Sequence, residues 1–435
     1  MTDYYCDLEA DFVDRSGADG TTNVLTGPGG LQAAIRDGGA SGLATALVAG
    51  DTLYVKNTAS LSRLVKMDCG NDVSHWAVGD VVKNHTGGGA SEGQHWAGVV
   101  VQEYDEIATG LASANILLVQ LTTDFDYADV DANLAAGIRN LTQAEDFTPV
   151  SDVTCVGIEL AAAGDTTTGY ISFVATDGSW DEVEGTQAVL DGEGVAAHGI
   201  SYTNSNNYTR LKGITVQNAT GDGIYRNGSQ PTGWFVENCI FDSNGGDGVG
   251  DYLSYCTFIK CRMTNNTANG MSNIYNDAKF LFCVIRDNVI GLNTEEAYNG
   301  VCVIGCDIDN NSGVQCQVGR SWLLLNNVID GEDDTTSGHG VDVLSYSNVI
   351  IGNRITHNDG AGKYGIHCNL AACAAYEDYN AFFDNTNDKD TGMIGGSHDD
   401  DTLTDDGYVD RGNSDFNVAT GKELRSVAID LDWDA

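Results

Sequence analysis

Between residues 208 and 370 the chain repeats itself. Aligning the aliphatic residues Ile214, Ile240, Met263, Ile285, Ile308, Ile329 and Ile355 gives intervals of 26, 23, 22, 23, 21 and 26 residues. Two positions before them stand Lys212, Asn238, Cys261, Cys283, Cys306, Asn327 and Asn353, so six of the seven are Cys or Asn. Four positions before stand Arg210, Val236, Ile259, Leu281, Ile304, Leu325 and Ile351. Such alternation reads as a strand with its i, i+2 and i+4 side chains facing inward. Asn266, Asn288, Asn311 and Asn358 follow three positions after the aligned residue, where Asn suits the left-handed backbone of a tight bend. Each unit then offers Gly before an aliphatic, at Gly223, Gly248, Gly270, Gly291, Gly313, Gly340 and Gly365. These are predicted turn glycines ahead of a second short strand.

Short strands with Gly and Asn at the corners, no helical pattern and a period in the twenties are what a parallel β-helix requires. Leucine-rich repeats share the length, but their leucine consensus and helical segment are missing. In a β-helix each coil lies about 4.8 Å above the last, so equivalent residues stack. Asn238, Cys261, Cys283, Cys306, Asn327 and Asn353 are therefore expected to form a structural ladder of small interior side chains rather than a metal or redox line.

The repeat resembles the superfamily of right-handed parallel β-helix proteins, the pectate-lyase-like group that also includes phage tailspikes and virion decoration proteins. The resemblance implies an all-β fold, a right-handed single-stranded parallel β-helix, with a helical cap at its N-terminal end. It leaves function open, because the repeat residues are the scaffold.

Four segments follow. Residues 1–57 read as an N-terminal loop, a cap helix marked by Leu31, Ala34 and Ile35, and a first rung at Asp51-Thr52-Leu53-Tyr54-Val55. Residues 58–150 lose the period and read as an inserted β subdomain, with Trp76 and Trp96 as its core or as a sugar platform. Residues 151–370 are the β-helix, and 371–435 an irregular tail packing back on it.

Sixty-three acidic against 21 basic residues give a formal charge of −42. That sign repels nucleic acid and anionic membranes, so neither is an expected partner. No stretch approaches the length of a membrane span and no export signal is visible, so membrane insertion is not expected. The expected location is the virion, or the extracellular medium after lysis. The twelve cysteines lack CxxC pairs and are expected to be reduced, buried thiols.

Gly338-His339-Gly340, Asp333-Asp334 and Asn293-Thr294-Glu295 resemble the tokens with which polygalacturonases place carboxylates on successive coils around one glycosidic bond. The spacing departs from that pattern, since Asp334 and His339 lie in one loop, and Glu295 replaces the usual Asp. The catalytic candidates are thus Asp247, Asp251, Glu295, Asp333, Asp334 and His339. The same acidic loops are candidates for Ca²⁺, though in a chain this acidic such pairs also arise by composition alone. Two functions fit. One is a virion-type structural or adhesive protein (decoration protein, fibre or tailspike), a homotrimer or larger assembly meeting other virion proteins or a surface glycan. The alternative is a polysaccharide lyase or glycoside hydrolase acting in a groove along the β-helix.

Overall fold

A computed structural model of the chain describes residues 3–9, 25–36, 47, 49–68, 79–85, 95–104, 116–122, 124–133, 137–142, 145–146, 152–160, 167, 169–183, 185–203, 208–227, 232–250, 254–294, 299–331, 338–358, 360–368, 375–390, 393–395, 408–410 and 415–418. They fall into two compact units, Met1–Ser229 and Gln230–Ala435.

In the first unit, Thr52–Lys56 pairs in parallel with Asp3–Asp7 on one side and Ile171–Ala175 on the other. Asp3–Asp7 corrects the expectation of an N-terminal loop: Tyr4, Cys6 and Leu8 are buried at alternate positions, the period-2 pattern of a strand. A second parallel sheet joins Thr58–Ser60, Ala188–Asp191 and Ile214–Gln217, and a third joins Ile158–Leu160, Ile200–Thr203 and Ile224–Asn227. The helix Gly27–Arg36 opens on Gly27 and Pro28, and proline suits a first turn, where its missing N–H removes no bond. Gln32 of this helix clasps the strand Ile158–Leu160: its Nε2 donates to the Glu159 carbonyl at 3.1 Å and its Oε1 accepts the Glu159 N–H at 2.7 Å. The strand's outer edge is thereby satisfied instead of exposed for aggregation. A seven-stranded antiparallel sheet carries Leu64–Asp68, Val81–Asn84, Ala97–Tyr104, Ile116–Leu121, Ile138–Asn140, Glu145–Asp146 and Asp152–Cys155. Trp96 is 1 % exposed within that sheet's core, packed with Val82, Val100 and Leu117, so it is no sugar platform. Trp76 lies outside the described residues.

Among the described residues, the second unit contains seven successive two-strand coils. They begin with Phe235–Glu237 and Ile240–Asp242 and end with Ala375–Asp378 and Ala381–Phe383. Every described pairing between them is parallel and in register. The second strands stack Phe241, Met263, Ile285, Ile308, Ile329, Ile355 and Phe382 in the interior. The first strands stack Val236, Phe258, Phe280, Val303, Leu324 and Ile350, with the rings of Phe258 and Phe280 5.3 Å apart and nearly parallel. Each fully buried side chain of this size contributes about 1.5–3 kcal/mol.

Three expectations are corrected by the corner between the two strands. Residues 238, 260, 282, 305, 326, 352 and 379 there have left-handed backbone. The corner interrupts the alternation, so the inward residue of the first strand lies five positions before the aligned aliphatic, and Ile259, Leu281, Ile304, Leu325 and Ile351 face outward, partly exposed. Phe241, not Ile240, stands opposite Met263. Asn238 accordingly is the corner residue, with φ 52°, and Cys239 takes its place in the ladder.

The ladder then runs Cys239, Cys261, Cys283, Cys306, Asn327, Asn353 and Asn380, all buried. Asn327 Nδ2 donates to Asn353 Oδ1 at 2.9 Å, and Asn353 Nδ2 to Asn380 Oδ1 at 3.1 Å. A second ladder replaces the predicted Asn turns: Asn244, Asn266, Asn288 and Asn311 pass amide hydrogen bonds of 3.0, 3.0 and 3.1 Å from coil to coil. The left-handed residue is the one before, at Asn265, Asp287 and Asn310. The predicted turn glycines serve close approach rather than left-handed backbone. A Cβ on Gly270 would meet the Gly291 carbonyl oxygen at 2.6 Å, and one on Gly291 would meet that of Gln315 at 2.3 Å. Gly313 is displaced from this column, because Cys316 pairs with Leu292 and Gln315 therefore holds the equivalent position.

Candidate functional site

The third sheet of the second unit joins Cys316–Val318, Val341–Val343 and Ile366–Cys368. Val341, Val343 and Ile366 point into the core and fix the strands, which leaves the alternate positions for chemistry. Gln317, Asp342 and His367 stand there in register, and the bridge from Ile366 to Lys389 brings Asp390 alongside.

His367 Nδ1 lies 2.8 Å from Asp342 Oδ1, and its Nε2 lies 3.9 Å from Asp390 Oδ2, beyond hydrogen-bond distance. A carboxylate on Nδ1 holds that nitrogen as the donor and leaves the Nε2 lone pair as the basic position. Asp342 is nearly buried, and desolvation raises its carboxyl above the ordinary value against the pull of His367 and Lys363. The His339 ring stacks on His367 at 4.0 Å, and Tyr364 lies 5.4 Å from the His367 ring. His339, Lys363, Tyr364, His367 and Asp390 are all partly exposed. The cluster thus offers an oriented base, a phenol, an ammonium group and the Asp390 carboxylate at a surface that a ligand reaches, with Asp342 buried behind the imidazole.

His339 enters this cluster in a role the sequence did not suggest. Burial lowers its pKa to about 4, so it is neutral near pH 7, and its Nδ1 accepts the Tyr364 N–H at 3.1 Å. Asp247 does the same at the equivalent position, accepting the Asn269 N–H at 2.8 Å, as does His198 in the first unit with the Asp222 N–H at 3.1 Å. The position is a brace between coils. Asp247 and His339 stand four coils apart, roughly 19 Å along the stack, so they do not meet. Asp251, Glu295, Asp333 and Asp334 lie outside the described residues. Asp342, His367 and Asp390 were missed, although Gly340-Val341-Asp342 and Gly365-Ile366-His367 put an acid and an imidazole at one offset in adjacent units.

Other polar and apolar features are less suited to a substrate. Asp309 and Asp330 stand in register on the second sheet, and Asp330 Oδ1 lies 3.1 Å from His357 Nδ1. Desolvation raises Asp309 to about 8, but the two carboxylates are 3 % and 2 % exposed, out of reach of a polymer. Among the described residues no group of three or more His, Cys, Asp or Glu side chains is placed to hold a metal ion, so the Ca²⁺ expectation finds no ligand set there. Cys261 and Cys306 are buried without a cation, and desolvation pushes both thiols far up, which does not suit a metal or redox line. Among the described residues nine cysteines are free, but Cys368 is disulfide-bonded, which corrects the expectation of reduced thiols throughout. A cavity of about 20 Å³ in the first unit is walled by Leu8, Leu31, Phe173, Leu190 and other apolar side chains, too small for a sugar and without a polar group to orient one. No helix among the described residues is long and apolar enough to cross a membrane.

No family model matches the chain, and no curated protein matches its sequence. Among solved structures it is similar to pectate lyase Pel9A, with a TM-score of 0.55 and 14 % identity over 99 % of this chain and 92 % of that one. It is also similar to alginate lyase from Paenibacillus sp. str. FPU-7 (TM-score 0.40, 13 % identity, 56 % of this chain and 88 % of that one). A third is ORF18 of Geobacillus virus E2 (TM-score 0.28, 12 % identity, 56 % and 55 %). The likeness to Pel9A establishes the fold expected from the repeat, the right-handed parallel β-helix of pectate-lyase-like proteins. At such identities the chemistry rests on this chain's own residues.

Proposed function

We propose that this protein processes a polysaccharide by general acid–base catalysis at the Asp342–His367 cluster. The observation that carries this reading is the 2.8 Å contact from Asp342 that orients His367, with its Nε2 turned to a partly exposed surface 3.9 Å from Asp390. The arrangement suits β-elimination on a uronate-containing glycan. Nε2 takes the proton α to the uronate carboxylate, and that C–H electron pair becomes the new C=C bond as the glycosidic C–O bond breaks. The leaving oxygen takes a proton from an acid, the role we assign to the Tyr364 phenol, whose ring lies 5.4 Å from that of His367, and the Lys363 ammonium offsets the uronate charge. Hydrolysis fits less well, since it needs two carboxylates flanking the bond, and here both adjoin one imidazole.

The test is incubation of the full chain with a panel of acidic and neutral polysaccharides, followed by ultraviolet absorbance of the unsaturated product and by reducing-end release. New absorbance with uronate glycans supports elimination; reducing ends without absorbance would replace it with hydrolysis. A virion-type adhesive rod is the second reading. It is favoured by the outward aliphatic column of the first sheet, a surface that an assembled protein buries and a solitary enzyme has no use for.

A further inference from the structure

The first sheet of the second unit has an outer face unlike the rest of so acidic a chain. On its five central rungs the outward pairs are Thr257 and Ile259, Lys279 and Leu281, Cys302 and Ile304, Leu323 and Leu325, Val349 and Ile351. None is acidic, in a chain with 63 Asp and Glu. Lys260 and Phe282 extend the face at the corners, both exposed. The first rung adds Phe235 and Glu237 to the near end. At the far end stand Tyr376 and Tyr379, 44 % and 38 % exposed, with the buried Asp378 between them accepting the Tyr376 hydroxyl and the Tyr379 N–H.

We propose that this face is where a second copy of the chain docks, two-fold and with the coils stacked in opposite directions. A glycan is a poor occupant, because seven of the ten central side chains are aliphatic and only Thr257, Lys279 and Cys302 offer a hydrogen-bonding group. A copy carrying −42 is repelled over most approaches, and a strip whose five central rungs carry no acid is a surface on which that repulsion is least. The ends set the direction. An antiparallel two-fold brings Lys260 and Lys279 of each copy towards the exposed rings of Tyr376 and Tyr379 of the other, which are cation–π partners. A parallel arrangement would set lysine against lysine.

Seven rungs and four residues of width give a strip of roughly 30 Å by 13 Å, small against the roughly 800 Å² per partner of a standard interface. The dimer is therefore a weak one, to be sought at tens of micromolar, and it does not depend on the activity proposed above. Sedimentation velocity of the full chain over a concentration series is expected to show twice the monomer mass at the upper end. Ile304→Asp should abolish this while leaving the circular dichroism spectrum unchanged. Cys302, the free cysteine of intermediate exposure on this face, gives a second readout. Its alkylation, located by peptide mass, should slow at least fivefold between dilute and concentrated wild-type protein and stay fast in Ile304→Asp. A monomer at every concentration, a three-fold assembly, or association indifferent to Ile304→Asp would overturn the proposal.

Discussion

Asn288 is held from both neighbouring coils. Its Oδ1 accepts the Asn266 N–H at 3.1 Å and the Asn266 Nδ2 at 3.0 Å, while its own Nδ2 donates to Asn311 Oδ1 at 3.1 Å and to the Met263 carbonyl at 3.0 Å. Asn288→Ala strips two buried donors of their acceptor, so a loss of about 3 kcal/mol is expected in urea unfolding. The Asn positions were plain in the sequence, but composition suggests a bend as readily as a ladder, and only the neighbouring coil decides between them. The same holds for His339, whose partner comes from the next coil. Its folded pKa of about 4 lies below the ordinary 6.5, so between those values the unfolded chain binds more protons. Stability contributed by neutral His339 is therefore full above pH 6.5 and lost as pH falls towards 4. His339→Asn keeps an acceptor for the Tyr364 N–H without the titration. Its melting temperature should fall less than that of the wild type between pH 7 and 4.5.

At the scale of the strand, the repeat period and the residues of the second strand were legible because Met263, Ile285, Ile308, Ile329 and Ile355 recur at nearly even spacing and lie fully buried. The first strand was misread, because Ile259, Leu281, Ile304, Leu325 and Ile351 are as aliphatic as any core column. Apolarity alone does not reveal the corner that resets the alternation. Lys260, Phe282, Asn326 and Tyr379 hold left-handed backbone there, and of these only Asn advertises it. The strand at Asp3–Asp7 was hidden for a different reason: its parallel partner, Thr52–Lys56, is distant in sequence. The glycine column is a sharper test of how closely the coils approach. At Gly291 a Cβ would meet the Gln315 carbonyl oxygen, a backbone atom that moves only with its coil. Gly291→Ala should cost about 1–3 kcal/mol in thermal or urea unfolding. A neutral substitution would mean that the coils adjust.

For the whole molecule, the charge of −42 and the proposed site pull in opposite directions, since a uronate polymer must approach an acidic body to reach His367 and Lys363. Added salt screens that repulsion, so turnover at low substrate is expected to rise several-fold between 20 and 200 mM salt, the reverse of a basic enzyme on the same glycan. The repeat disclosed the fold because every coil states the same constraint. The site was harder to see because its residues sit at ordinary repeat positions and become a cluster only when three coils are stacked. The measurement that tests the account most directly is cleavage of uronate polysaccharides by the wild-type chain beside His367→Gln and Asp342→Asn, with circular dichroism of each as a folding control. Cleavage should fall by at least a hundredfold in His367→Gln and by roughly tenfold or more in Asp342→Asn, with folding unchanged. Equal activity in His367→Gln, or no cleavage of any uronate glycan by the wild type, would contradict it.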